Sequence, residues 1–205
     1  MNARLPSDLE LGPEVRRLLR LAGPMMLAQG GLVTMGLVDT WCVGRVSTQD
    51  MAGVALGNAV SFVLISFVLG LSMGIEPLAA QAHGAGELRR ARAWRTQGIW
   101  VVVGASVPAT LGVLALGWVV PALGWSEGFD GELRGYLFGR APGVLLTGLY
   151  GVYRSYLTSV GRARPALVAV GLANAANLAL DLLFLFVLDL GALGVGLATA
   201  LAAGT

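Results

Sequence analysis

The sequence predicts an all-α, polytopic membrane protein built as a bundle of six membrane-spanning helices. Three observations lead there. The 205 residues are 56% hydrophobic and only 13% charged, too apolar and too poor in charge for a soluble domain. The apolar residues fall into six long runs, and each of the first five reaches the roughly 20 residues that cross a bilayer. Arginine is dense in alternate connections between the runs and sparse in the others, as a fixed membrane orientation requires.

All fourteen basic residues are arginine, and the net charge is only +2. They cluster beside the apolar runs, so they bear on topology and not on nucleic-acid binding. The mean hydropathy of +0.73 agrees. One cysteine, Cys42, excludes an intramolecular disulfide and any cysteine-based metal cluster. It reads as a small apolar filler.

The first span covers residues 18–43. The polar segment before it carries Arg16, Arg17 and Arg20. The run itself is too long for a signal-peptide core and reads as a membrane helix. Pro24 removes a backbone donor, so it marks a kink or the start of this helix. The second span covers 51–82 and contains Asn58, Glu76 and Gln81, with His83 at its end as an interfacial residue. A connection with Arg89, Arg90, Arg92 and Arg95 follows. The third span is 98–120, closed by a loop marked by Pro121, Gly124 and Gly128. The fourth is 133–160, closed by Gly161-Arg-Ala-Arg-Pro165. The fifth is 166–188. The sixth opens at 191 and is still apolar at Thr205, so the sequence reads as part of a longer chain. Gly53/Gly57, Gly70/Gly74 and Gly139/Gly143 are small-xxx-small pairs suited to close helix approach.

The arginine-rich segments before the first span, between the second and third, and between the fourth and fifth belong on one side, the cytoplasm. The intervening connections hold Arg45 and Asp50, then Glu127, Asp130 and Glu132, then Asp189.

Polar residues inside these spans are the functional candidates. Asn174, Asn177 and Asp181 stand at helical spacing on one face of the fifth span. Amides often serve only to bond neighbouring helices. A carboxyl is a costly choice for that task and points to an ion pathway or a lined cavity. Asp39 lies four residues from the end of the first span, about 6 Å deep at the helical rise; alone it reads equally as an interfacial carboxylate. Asp181 lies roughly 10 Å from the same face, and Thr199, about eight residues into the sixth span, is at similar depth. Asp39, Asn177, Asp181 and Thr199 therefore form one layer. Such an oxygen-rich set suits Na⁺, or protons if the two acids share one. Glu76 either lines a cavity or reaches the surface.

Four stretches carry a resemblance to a known family. They are Leu21-Ala-Gly-Pro24 with Met35-Gly-Leu-Val-Asp39, Glu76-Pro-Leu-Ala-Ala-Gln81-Ala-His-Gly-Ala-Gly86, Asn177-Leu-Ala-Leu-Asp181, and Gly191-Ala-Leu-Gly-Val-Gly-Leu-Ala-Thr199. In this order they resemble the N-terminal half of a multidrug and toxic compound extrusion (MATE) transporter. The resemblance covers essentially the whole sequence. It implies one six-helix lobe of a twelve-helix antiporter, residing in a bacterial inner membrane with its N-terminus in the cytoplasm. It further implies that Na⁺ or H⁺ entry drives export of bulky organic cations by alternating access, with no cofactor. The implied cation site is Asp39, Asn177, Asp181 and Thr199, which is also where Na⁺ would bind. Pro24 matches a proline associated with bending of the first helix. Glu76 matches an acid found in some branches only. Gln81 and Asn174 are further candidates for the cavity lining.

The implied partners are lipid, the organic cation, and either a C-terminal lobe or a second copy of the chain. Two alternatives stand beside this reading. One is a half-transporter that does not transport alone; the other is a related flippase for lipid-linked precursors. An intramembrane aspartyl protease would pair two acids in the same way. Asp181, however, follows Ala179-Leu180 and lacks the Gly-x-Gly-Asp context of that class. The expectation is therefore a transporter and not an enzyme.

Overall fold

The structure, a computed structural model, describes residues 11–162 and 164–204. The described residues are helical throughout, with short turns and no strand. The helices are α1 (Leu11–Val43), α2 (Thr48–Met73), α3 (Ile75–Gly84), α4 (Leu88–Ala122), α5 (Asp130–Arg140), α6 (Gly143–Ser159), α7 (Arg164–Leu182) and α8 (Gly191–Ala202). A π-helical turn, Leu183–Val187, continues α7. Thr48–Gly84, Leu88–Ala122 and Arg164–Val187 are long and apolar enough to cross a membrane.

Two expected spans are not single helices. The second breaks at Gly74, between α2 and α3. Pro77 has no N–H for the carbonyl of Met73, and its ring crowds that carbonyl, so the first segment stops there. The Gly74 N–H turns back to the Leu71 carbonyl at 3.2 Å. The fourth span breaks at Ala141-Pro142, between α5 and α6, where Pro142 stands in the same relation to Phe138. The third span is longer than expected. Arg89, Arg90, Arg92 and Arg95 stand on α4 itself and not in a connection, because arginine and alanine are good helix formers. Pro24 lies within α1, but its side chain, and with it any bend there, is outside the described residues.

The α7 helix ends by widening. The Leu188 N–H reaches the Leu183 carbonyl five residues back, at 3.0 Å. Asp189 then takes a positive φ of 50°, a conformation that a short acidic side chain tolerates better than most. The chain reverses there into α8.

The centre of the bundle is filled by small and branched side chains. Val54 and Val68 of α2, Val102 and Val113 of α4, Leu133 and Leu137 of α5, Val144 of α6 and Val195 of α8 are all fully buried. The large side chains Phe62, Phe67, Trp100, Leu111, Trp118 and Phe186 are exposed. Interior small and exterior large is the arrangement of a bundle whose outside faces lipid.

Glycine decides two of the crossings. A Cβ on Gly53 would come within 2.8 Å of the Glu132 carbonyl carbon and the Leu133 nitrogen, and one on Gly57 would strike the Tyr136 ring. A Cβ on Gly139 would lie 2.5 Å from the Leu193 carbonyl oxygen, and one on Gly196 would meet the Tyr136 carbonyl. Thus α5 lies backbone-close to α2 on one side and to α8 on the other. The pair Gly70/Gly74 does no such work: Gly70 has open space beside it, and Gly74 faces only the Leu71 carbonyl in its own chain segment.

Candidate cation site

Four polar residues of the membrane interior converge where α1, α7 and α8 meet. Asp39 stands about one turn before the end of α1 and is 3% exposed. Asn177 and Asp181 stand one turn apart on α7, and neither has any exposed surface. Thr199, on α8, is 7% exposed. The Thr199 hydroxyl lies 2.8 Å from Asp39 Oδ2 and 2.9 Å from the carbonyl of Val195, one turn back. Its single proton serves one of these oxygens at a time. The carboxyl of Asp39 also faces the side chains of Asp181 and Asn177 closely enough to interact with both.

These four residues arrive from three helices, and the placing of α8 is decided elsewhere. Ser47 caps α2, accepting from the Gln49 and Asp50 N–H groups. That leaves the Asp50 carboxylate free to reach across. Its Oδ1 accepts the Ala192 N–H at 2.8 Å, where a helix N-terminus favours negative charge. Asp50 thereby caps α8 and sets its register against α1 and α7. The Gly139 and Gly196 contacts hold α8 against α5 along its length.

The group holds buried polar atoms that the described residues do not satisfy, the Asn177 amide nitrogen among them. Asp39 Oδ1, both Asp181 carboxyl oxygens and the Asn177 side-chain oxygen are buried without a hydrogen-bond donor among the described residues. Buried polar atoms are costly when unpaired. Four such oxygens around two carboxyls can accept a hard cation or share a proton.

A fifth polar residue belongs to this neighbourhood. Arg140 ends α5 and is 8% exposed. Its guanidinium stands beside Ala200 of α8, where a Cβ on Gly143 would meet both. Hydropathy taken span by span passes over it. Its signal is an arginine well inside the fourth apolar run, as costly there as Asp181 in the fifth.

The remaining candidates are not part of the group. Asn174 is half-buried, and its amide donates to the Val170 carbonyl of its own helix at 2.9 Å. It faces Gly31 of α1, so it packs at the α1–α7 contact. Glu76 is half-buried in the first turn of α3, which packs chiefly against α4 and α6. Gln81 is exposed and lines a shallow pocket with Leu78, Glu87, Arg90 and Trp94, away from Asp39. His83 is exposed at the end of α3.

Comparison with known proteins agrees with this architecture. The chain is 37% identical over 195 residues to a probable multidrug resistance protein NorM of Bradyrhizobium diazoefficiens, covering 93% of this chain and 42% of that protein. It is 30% identical over 195 residues to the multidrug resistance protein NorM of Aliivibrio fischeri, covering 92% and 42%. The chain thus spans less than half the length of these relatives. Among solved structures, a MATE transporter in the bent conformation superposes with a TM-score of 0.83 at 23% identity, over 90% of this chain and 42% of that one. The eukaryotic MATE transporter AtDTX14 superposes with a TM-score of 0.86 at 17% identity, over 94% and 43%. Both establish the fold of one lobe. The MatE family model matches residues 24–183, and on that match and the NorM relatives the chain, a multi-pass membrane protein, belongs to the MATE transporter family.

Proposed function

We propose that this chain is the cation-coupling lobe of a multidrug exporter, in which Na⁺ or H⁺ moving inward drives bulky organic cations outward. The observation that carries the reading is the buried meeting of Asp39, Asn177, Asp181 and Thr199, with four oxygens left for a cation. The multidrug resistance names of the NorM relatives support the substrate class.

A cation entering between Asp39 and Asp181 neutralises charge that is expensive inside a membrane. It ties α1 to α7 and α8. In its absence the carboxylates repel, and α1, which reaches the group only near its end, is free to move away. In this reading α1 bends at Pro24, where the helix lacks a backbone donor. Coupling follows if the two α1 positions differ in cation affinity. Arginine distribution supports a cytoplasmic N-terminus, and the bacterial NorM relatives support a bacterial inner membrane. Export requires a second lobe, supplied by further chain or by a second copy. In this reading the lobe binds and releases the cation, with no bond to substrate made or broken.

The test is efflux of a fluorescent organic cation from drug-sensitive cells making the full-length protein that contains this lobe, beside its Asp181→Asn variant. Efflux lost in the variant at equal membrane abundance is expected. Export at the wild-type rate in a well-folded Asp181→Asn protein overturns the reading.

A further inference from the structure

We infer that the start of α4 and the end of α6 form a binding site for the headgroup of an anionic phospholipid, centred on Arg92 and Arg95. The site stands apart from the Asp39–Asp181 group and does not depend on cation coupling. The α4 helix is 35 residues long, about 50 Å at the helical rise, against a hydrocarbon core of about 30 Å. Its apolar run opens after Gln97, so Arg92 and Arg95 lie at headgroup depth. The α5–α6 segment returns the chain to the same side and brings Tyr153 and Tyr156, near the end of α6, against Arg95. The Arg95 guanidinium carbon stands 5.3 Å from the Tyr156 ring centre and 5.8 Å from that of Tyr153, within the range of a cation–π contact.

A ring face places a guanidinium without satisfying the edge of its fork. Arg95 Nε is buried with no hydrogen-bond partner, and neither Arg92 nor Arg95 has a carboxylate partner among the described residues. The acids nearest in sequence do not serve them. Glu87 is held by Arg90 at 3.0 Å, and Glu76, half-buried on α3, forms no ion pair among the described residues. An unpaired buried donor is costly. A phosphodiester offers acceptor oxygens and a negative charge to such a fork. Arg92, exposed one turn earlier, adds a second positive charge. Basic pockets between membrane helices at headgroup depth take anionic lipids in this way. The surface below makes the occupant a lipid and not a free phosphate. The face of α4 that carries Arg92 continues as Thr96, Trp100 and Val107, all exposed. An acyl chain thus has an apolar track leading away from the phosphate.

The experiment uses the full-length protein that contains this lobe, purified in detergent. Its unfolding temperature is followed as phosphatidylglycerol, or phosphatidylcholine of the same acyl chains, is added. Phosphatidylglycerol is expected to stabilise wild type beyond phosphatidylcholine. Arg95→Gln should need on the order of tenfold more phosphatidylglycerol for the same shift, as loss of a charge-assisted hydrogen bond requires. Arg92→Gln should need about fivefold more. The preference is a difference between two lipids within one variant, so a general loss of stability does not imitate it. Arg45→Gln, on the opposite side of the membrane, and Asp181→Asn should keep the wild-type response, so this inference and the cation-coupling reading fail separately. If Arg95→Gln is not recovered folded, Arg92→Gln decides alone. No preference in wild type, an unchanged preference in the deciding variant, an equal loss in Arg45→Gln, or equal stabilisation by inorganic phosphate overturns the inference.

Discussion

Thr199 Oγ1 of α8 stands 2.8 Å from Asp39 Oδ2 of α1, across 160 residues of chain. It is the direct side-chain hydrogen bond joining the first helix to the last described one at the candidate cation site. The hydroxyl is within reach of two acceptors, so it can stay bonded to Val195 when Asp39 moves away. Replacing Thr199 with Val keeps the shape and removes the donor. The expected result is roughly tenfold weaker cation dependence of efflux, corresponding to about 1–1.5 kcal/mol for one lost hydrogen bond. Thr199→Ser should retain wild-type dependence.

Asp39→Asn is expected to impair export while the protein still inserts and unfolds cooperatively. An amide holds the same volume and can still accept from Thr199, but it carries no charge for a cation to neutralise. The effect should appear as a loss of response to the Na⁺ or proton gradient in proteoliposomes, with folded protein recovered in normal yield.

Asp50→Ala should lower stability and leave the site residues themselves intact. It removes the cap on the Ala192 N–H. A lost cap costs about 1–2 kcal/mol, read as a lower unfolding temperature in detergent. Asp50→Asn should recover most of it, since its side-chain oxygen can accept the same bond.

Gly196→Ala is expected to be the most disruptive of these changes. The new methyl would meet the Tyr136 carbonyl and lie 2.9 Å from the Arg140 nitrogen. These are backbone atoms, which cannot turn aside as a flexible side chain does. Forcing α8 from α5 should cost about 1–3 kcal/mol or more. A sharp fall in the yield of folded protein checks it. Gly70→Ala, where space is open, should be tolerated.

Tyr136→Phe should change little in stability. The hydroxyl is 3.5 Å from Asn58 Oδ1, at the limit of a useful bond, and the ring contact with Gly57 survives the change. A drop in unfolding temperature as large as that of Asp50→Ala would contradict this.

The sequence by itself determined the membrane class and the helical content, and it singled out polar residues that are costly to bury. Long apolar runs leave few options in lipid, where every backbone group must bond within its own segment. The burial of Asp181 was legible for a related reason: a carboxyl inside a long apolar run has no solvent of its own. The helix breaks were half-visible, because Pro77 and Pro142 announce them, yet long hydropathy hides them inside continuous runs. What only the tertiary structure decided is which polar residues share a space. Asn174 and Asn177 are one turn apart and similar in sequence context, but one bonds its own helix and the other enters the group with Asp181. Arg140 stands beside Ala200 only because Gly139 and Gly196 let α5 and α8 approach to backbone contact. Periodicity orders residues along one helix; the rotation and separation of two helices come from the side chains, or their absence, at the crossing.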